Sequence, residues 1–133
     1  MKKIRILLSV VLFSGIFLTN VEANTKTWTG KTITYSGTTV VTGLTKPSIS
    51  TSSGTITYCL ETTADWVNIY FSVYNEEGTQ VGNRIDTAYK SKGAYSSYSF
   101  SPSFMITTGS YTVKAKRQNI WDSGLLSNGS IKL

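Results

Sequence analysis

The sequence predicts an all-β protein, in which one antiparallel β-sandwich of about seven to nine short strands follows a cleavable signal peptide. Ser and Thr make up 35 of the 110 residues after residue 23, and the apolar residues between them recur at two-residue spacing, the period of strands. Turn-forming residues interrupt this pattern about every 8 to 12 residues. No stretch of helical periodicity competes with it. These features favour a single modest core between two sheets.

The N-terminus has the three parts of an export signal. Lys2, Lys3 and Arg5 form a positive start, an apolar run of 13 residues extends from Ile6 to Leu18, and Val21-Glu22-Ala23 places small residues where a signal peptidase cleaves. The run is shorter than the roughly 20 apolar residues that a transmembrane helix needs. We therefore expect cleavage and secretion, with no transmembrane anchor.

Cleavage divides the chain into a signal peptide, residues 1–23, and a single extracellular domain, residues 24–133. The domain keeps ten basic and six acidic residues, which gives a net charge of +4. A positive charge of this size biases binding toward anionic surfaces such as wall polymers and phospholipid headgroups. Export argues against a nucleic-acid partner.

The first expected strands are Thr32 to Tyr35 and Thr38 to Thr42, with the Ser36-Gly37 turn between them. A third strand, Thr55 to Thr62, alternates apolar residues with more polar ones. Cys59 falls on the more polar side of this strand.

The most apolar segment of the domain, Trp66 to Tyr74, is expected to be a central strand. Aliphatic and Phe side chains occupy its odd-numbered positions and would form the core face. The polar segment Asn75-Glu76-Glu77-Gly78 follows, and Thr79 to Thr87 then alternates again. This order is typical of a β-hairpin.

Four further strands are expected at Tyr95 to Phe100, Phe104 to Thr107, Ser110 to Arg117 and Ser130 to Leu133. The pair Asn128-Gly129 before the last of them is typical of a tight hairpin turn. The segment Asn24 to Gly30 lacks apolar alternation and is expected to be loose.

The segment Thr108-Gly109-Ser110-Tyr111-Thr112-Val113 resembles the turn and strand late in immunoglobulin-like and fibronectin-like sandwiches, where a Tyr near the strand start packs under a corner. The resemblance covers about 10 residues and lacks the Cys and Trp pattern of antibody domains. It implies an immunoglobulin/fibronectin-like architecture.

Cys59 is the single cysteine of the chain, so the domain cannot form an internal disulfide. Three roles stay open for this residue. It is a buried and inert side chain, a reactive thiol, or half of an intermolecular disulfide.

The absence of histidine excludes most catalytic and metal chemistry. A Ser-His-Asp triad and a Cys-His pair are impossible, and a zinc site would have to form from one Cys and carboxylates. No glycine-rich phosphate loop is present. We therefore predict no enzymatic activity, no metal and no cofactor.

The strongest binding signal is the polar face of the expected central strand. Trp66, Tyr70 and Tyr74 recur there every four residues, about 13 Å apart along a strand, with Asn68 between the first two. The hairpin brings Gln80 beside the same face. Aromatic rings next to hydrogen-bonding groups suit the apolar faces of sugars and also protein partners. The alternative is that other parts of the domain cover this face.

A second candidate is the basic cluster of Lys114, Lys116 and Arg117, which would contact an anionic ligand. The alternative is a solvated strand face that these charges protect from edge pairing.

The leading hypothesis is a secreted, noncatalytic domain that binds a glycan of a cell envelope or extracellular matrix. The first alternative is a small toxin-like or bacteriocin-like effector that acts on an anionic cell envelope. The second is an extracellular structural protein that self-associates as a homo-oligomer through strand edges.

Overall fold

The computed structural model describes residues 24–61, 67–87, 92–118 and 125–133. They form eight β-strands: β1 (Thr25–Ile33), β2 (Thr38–Leu44), β3 (Gly54–Leu60), β4 (Ile69–Tyr74), β5 (Gln80–Asp86), β6 (Ser96–Phe100), β7 (Tyr111–Arg117) and β8 (Leu125–Lys132). These residues contain no helix, and so none that is long and apolar enough to cross a membrane. The predicted signal peptide lies outside the described residues.

The strands form two antiparallel four-stranded sheets. The first sheet has the order β1-β8-β3-β6 and the second has the order β2-β7-β4-β5. The all-β sandwich that the sequence predicts is therefore confirmed. Consecutive strands alternate between the two sheets except at β4 and β5, which form a hairpin within the second sheet.

This strand order is that of an eight-stranded jelly roll. In immunoglobulin constant-type domains the first strand pairs with the second, whereas here β1 pairs with β8. The immunoglobulin/fibronectin-like order is thus not the one observed. The local likeness around Tyr111 does hold, because this residue is buried and its hydroxyl accepts a hydrogen bond from the Ile106 amide at 2.8 Å.

The core lies between the sheets, where the inward positions of β3, β4, β7 and β8 are almost fully buried. Its centre is aromatic. The ring of Phe71 lies 5.3 Å from that of Tyr58 and 5.9 Å from that of Trp28, both at inclined angles. Such tilted arrangements suit the quadrupoles of the rings.

The first strand begins earlier than the sequence predicts, since the segment expected to be loose belongs to β1. Its register shifts between Trp28 and Lys31, and Gly30 has a φ of +63°. The shift lets Trp28 and Ile33, which are five residues apart, both face the core. This bulge removes the two-residue alternation from the sequence, so the pattern does not show the strand.

Asn128-Gly129 is not a hairpin turn, because β8 runs straight through it. The Asn128 side-chain oxygen accepts a hydrogen bond from the Gly30 amide at 2.7 Å and so holds the bulge of β1. Gly129 lies under the ring of Trp28. Asn128 and Gly129 therefore both contact β1 instead of forming a turn.

The expected strand from Phe104 to Thr107 is also absent. The chain makes two turns there, in which the Met105 amide donates to the Pro102 carbonyl at 3.0 Å and the Gly109 amide donates to the Ile106 carbonyl at 3.2 Å. Met105 is buried in the core, so an apolar residue in a turn gives the same local pattern as a short strand.

Candidate functional site

The outer face of the second sheet carries two of the three predicted aromatic residues. Tyr70 and Tyr74 point outward from β4 and are half-buried, with the buried Ser72 between them. Trp66 lies outside the described residues. The sheet brings the basic strand β7 alongside, so that Lys116 pairs with Tyr70 and Lys114 pairs with Ser72.

Tyr70 and Tyr74 from the first predicted site and Lys114 and Lys116 from the second therefore share one surface. We call it the basic face and define it by Tyr70, Tyr74, Arg84, Lys114 and Lys116. The aromatic and basic residues were predicted as separate candidates because β4 and β7 are far apart in the sequence.

Arg84 covers one end of the basic face. Its guanidinium carbon lies 4.5 Å from the centre of the Tyr70 ring. Its Nε also donates to a carboxylate oxygen of Asp86 at 2.9 Å, and both side chains are about half exposed. Because this ion pair is solvated, it contributes little stability but does orient the guanidinium.

Lys114 takes the corresponding place over the other tyrosine. Its ammonium nitrogen lies 4.8 Å from the centre of the Tyr74 ring. A cation over an aromatic face gains about 0.5–1 kcal/mol at an exposed site. The cations thus cover a face of each tyrosine, which argues against the predicted sugar stacking on bare rings.

Lys116 is held by contact with a glycine. A Cβ atom placed on Gly37 would lie 2.9 Å from Cε of Lys116 and 3.3 Å from its Cγ. Gly37 has a φ of +109°, which L side chains rarely adopt. The lysine stem therefore packs on bare backbone while its ammonium group stays near the surface.

The other predicted site residues lie at the margins of this face or away from it. Gln80 is exposed and pairs with Tyr74 across the hairpin. The Asn68 side-chain nitrogen donates to Oε1 of Gln118 at 2.7 Å, so one of its two N–H donors is already engaged. Arg117 pairs with the inward-facing Ile69, which gives it the opposite orientation from Lys114 and Lys116 on the strand.

Arg84 was missed at the sequence level, although a signal for it exists. The hairpin predicted from the sequence pairs Gln80 with Tyr74. If the antiparallel pairing continued without interruption, Arg84 would lie opposite Tyr70. In the structure a bulge in β5 shifts this pairing, so that Asp86 lies opposite Tyr70. Arg84, two residues before Asp86 on β5, still reaches the ring of Tyr70.

Cys59 is 2% exposed. It pairs with Asn128 of β8, and its strand β3 lies between β8 and β6 in the first sheet. This burial argues against an intermolecular disulfide and against a reactive thiol. Within the four described ranges, no group of three or more His, Cys, Asp or Glu side chains is placed to hold a metal ion.

We expect Cys59 in the native protein to react with an aromatic disulfide reagent at least about a hundredfold more slowly than in the unfolded chain, because exchange requires opening of the fold. The measurement is the rate of thiol release with and without concentrated guanidinium chloride. Fast labelling of the native protein, or a disulfide-linked dimer on a non-reducing gel, would contradict this expectation.

No family model matches the chain, and no curated protein matches it. Solved structures similar to it include a mutant VP2 protein of infectious bursal disease virus in derived T=1 particles, with 12% identity and a TM-score of 0.33 over 83% of this chain and 31% of that one. The structure of the Gx strain of infectious bursal disease virus has 14% identity and a TM-score of 0.35 over 84% of this chain and 29% of that one. The chain spans about a third of the length of these two viral chains, and a likeness at this level carries no argument about function.

Proposed function

We propose that this protein is a secreted, noncatalytic binding domain whose basic face recognises an anionic polymer of a cell envelope or extracellular matrix. The observation that carries the proposal is the grouping of three cations, Arg84, Lys114 and Lys116, on one outer face of a rigid sheet. The expected charge of the secreted domain is positive as well, which favours the approach of a polyanion.

The cations are held in place before any ligand arrives. Tyr70 and Asp86 orient Arg84, Tyr74 lies beneath Lys114, and Gly37 supports the stem of Lys116. Long basic side chains normally lose conformational entropy when they bind, and a fixed position reduces that cost. The tyrosines therefore act as supports for the charges.

The spacing of the cations suits a repeating ligand. Lys114 and Lys116 are two residues apart on β7, so their Cα atoms are separated by about 7 Å along the strand. Arg84 extends the charge across β4 to the edge of the sheet. A polymer with a negative group on each unit meets several of these cations at once, whereas a small anion meets one.

The basic face suits both of the ligand classes predicted from the sequence, a glycan and an anionic surface. An acidic polysaccharide or a phosphate-containing wall polymer has both the glycan character and the negative charge. Trp66 precedes Tyr70 in the predicted row, and its part in binding stays a prediction. Self-association through β5, one of the four edge strands among the described residues, has less support, because β5 has a bulge and carries the charged Arg84 and Asp86, features that protect an edge.

The test removes two charges from the basic face with Lys114→Gln and Lys116→Gln together. We expect binding to polygalacturonate, measured by affinity electrophoresis, to weaken about tenfold, which corresponds to roughly 1.4 kcal/mol from two partly exposed charges. Binding of the wild-type protein should also weaken as salt is added.

The matched control is Lys31→Gln together with Lys132→Gln, which removes the same charge from exposed positions of the first sheet. This control should bind nearly as well as the wild type. Equal losses in the two variants would show that only net charge matters and would overturn the basic face as the site. Leakage from vesicles of anionic phospholipid, lost in the Lys114/Lys116 variant alone, would instead identify the effector function predicted as the alternative.

A further inference from the structure

The edge strands β5 and β6 belong to different sheets, and residues of both line a depression at one side of the sandwich. Two depressions of about 470 and 330 Å³ lie on this side, and Phe104 lines both. Their volumes fall within the range of roughly 300–1,000 Å³ that is typical of small-ligand sites. We call the two depressions and the ring between them the Phe104 groove.

The Phe104 ring is fixed on the backbone of the sheet edge. A Cβ atom on Gly82 would overlap the ring, with Cγ of Phe104 only 2.6 Å away. Gly82 has a φ of +67° in the bulged part of β5, so the sheet edge and the ring fit only with glycine at this position. Phe104 is partly buried against the core and keeps part of its surface toward the groove.

Polar groups surround this ring on both sides. The larger depression is lined by Asn83, the Arg84–Asp86 ion pair and the hydroxyls of Ser99, Ser101 and Ser103. The smaller depression is lined by Asn75, Glu76, Glu77, Thr108 and Ser110. A flat aromatic surface with amide, hydroxyl and carboxylate groups around it matches a ring that has an apolar face and polar edges.

The charges of the groove argue against the anionic ligand of the basic face. Asp86, Glu76 and Glu77 contribute three carboxylates, and Arg84, the one cation among the residues that line the groove, is already paired with Asp86. An anionic chain would meet repulsion here. An uncharged, hydroxyl-rich ligand would find acceptors and donors without that cost.

An extended peptide fits the groove less well than a sugar chain. Strand addition requires a regular edge with unpaired amide and carbonyl groups in sequence. The register of β5 shifts between its pairings with Phe71 and Val73, and the positive φ of Gly82 interrupts the strand. The edge is therefore a poor template for another strand.

We propose that the Phe104 groove binds a neutral oligosaccharide, with one sugar ring on the exposed surface of Phe104 and the neighbouring units in the two depressions. This site goes beyond the proposed function, because its charge and ligand class differ from those of the basic face, which it adjoins at the Arg84–Asp86 ion pair. A ligand of several units is needed to reach both depressions.

The test uses NMR titration of the purified protein with cellohexaose, mannohexaose and the hexamer of N-acetylglucosamine. We expect at least one of these to shift the backbone amide signals of residues 82–86, 99–101, 103 and 104. Phe104→Leu, which keeps an apolar side chain against the core, should weaken that binding about tenfold or more. Asn83→Ala, at an exposed position, should weaken it about fivefold without affecting the fold.

The matched control is Tyr35→Leu, which removes a half-exposed aromatic ring outside the groove and should leave the affinity unchanged. The proposal is overturned if none of the three oligosaccharides shifts these signals at millimolar concentration, or if Phe104→Leu and Asn83→Ala both bind like the wild type. The Lys114→Gln and Lys116→Gln variant separates the two sites. This variant should keep its affinity for the oligosaccharide. If its affinity fell, the neutral sugar would bind at the basic face and not in the Phe104 groove.

Discussion

Gly129→Ala is expected to destabilise the protein by about 3 kcal/mol, the largest effect that we predict for a single methyl group. Gly129 lies within β8, where a Cβ atom would overlap the ring of Trp28 and approach the Thr57 carbonyl oxygen to 2.6 Å. The Trp28 ring cannot move freely, because it is 4% exposed and its Nε1 donates to Oγ of Ser127 at 3.1 Å. The Thr57 carbonyl belongs to the backbone of β3, so neither this group nor the Trp28 ring can move aside easily.

The measurement is urea-induced unfolding of the variant and the wild type at the same temperature. Gly78→Ala is the comparison, because Gly78 lies in the β4–β5 turn with a φ of +79° and no atom within 4 Å of an added Cβ. It should lose only about 1 kcal/mol, from backbone strain alone. If Gly129→Ala lost no more than Gly78→Ala, the contact with Trp28 would not restrict this position.

A double variant tests the contact directly. Trp28→Leu on its own should cost about 3 kcal/mol through lost packing. The Trp28→Leu, Gly129→Ala double variant should lose less unfolding free energy than the sum of the losses in the two single variants, because the smaller leucine side chain leaves room for the new methyl group. Strict additivity would show that the two positions act independently.

The Trp28–Gly129 contact also shows why the sequence misled about this segment. Asn-Gly has the same local chemistry in a hairpin turn as it has here, and only the partner strand distinguishes the two cases. That partner, β1, lies about a hundred positions earlier in the chain. Its own alternation is hidden by the bulge at Gly30, so the sequence predicts only one end of each strand, Thr32 to Tyr35 and Ser130 to Leu133, and not their pairing.

Strands with uninterrupted alternation were predicted well. Thr55 to Thr62, Trp66 to Tyr74 and Ser110 to Arg117 were expected where β3, β4 and β7 occur, because apolar residues alternate with more polar ones in each, and the apolar positions are the buried ones. The order of the strands could not be obtained in this way, because pairing of β1 with β8 depends on contacts across the whole chain. A local resemblance at Tyr111 was correct in its hydrogen bond and misleading about the topology.

The same distinction applies to the candidate site. Alternation correctly placed Tyr70 and Tyr74 on one face of β4, and Lys114 and Lys116 on one face of β7. The pairing of these two strands was needed to show that the residues form one surface. It also changes the expected role of the tyrosines, because the cations above them occupy the ring surfaces that a sugar would use.

Tyr58 is expected to make the stability of the protein fall as the pH rises in the alkaline range. Its side chain is fully buried, and its hydroxyl lies 2.7 Å from Oγ1 of Thr87, which in turn donates to the Ile69 carbonyl at 2.5 Å. Burial disfavours the charged phenolate and so raises the pKa of Tyr58 far above its ordinary value. The folded protein therefore keeps Tyr58 protonated at a pH where the unfolded chain ionises it.

The free energy of unfolding should accordingly fall as the pH rises. The stabilisation from neutral Tyr58 is complete below pH about 10, the ordinary pKa of tyrosine, and is lost above it by about 1.4 kcal/mol per pH unit until the pKa of the folded state is reached. Urea-induced unfolding at several pH values between 8 and about 11.5 measures this slope.

Tyr58→Phe isolates the contribution of this one hydroxyl, because the other seven tyrosines are the same in both proteins. At neutral pH the variant should be less stable by about 1 kcal/mol, since it loses the hydrogen bond to Thr87. Above pH 10 it should lose stability more slowly than the wild type, so the two curves converge and then cross. Parallel curves over this range would mean that Tyr58 ionises alike in the folded and unfolded states, and would contradict the raised pKa that its burial implies.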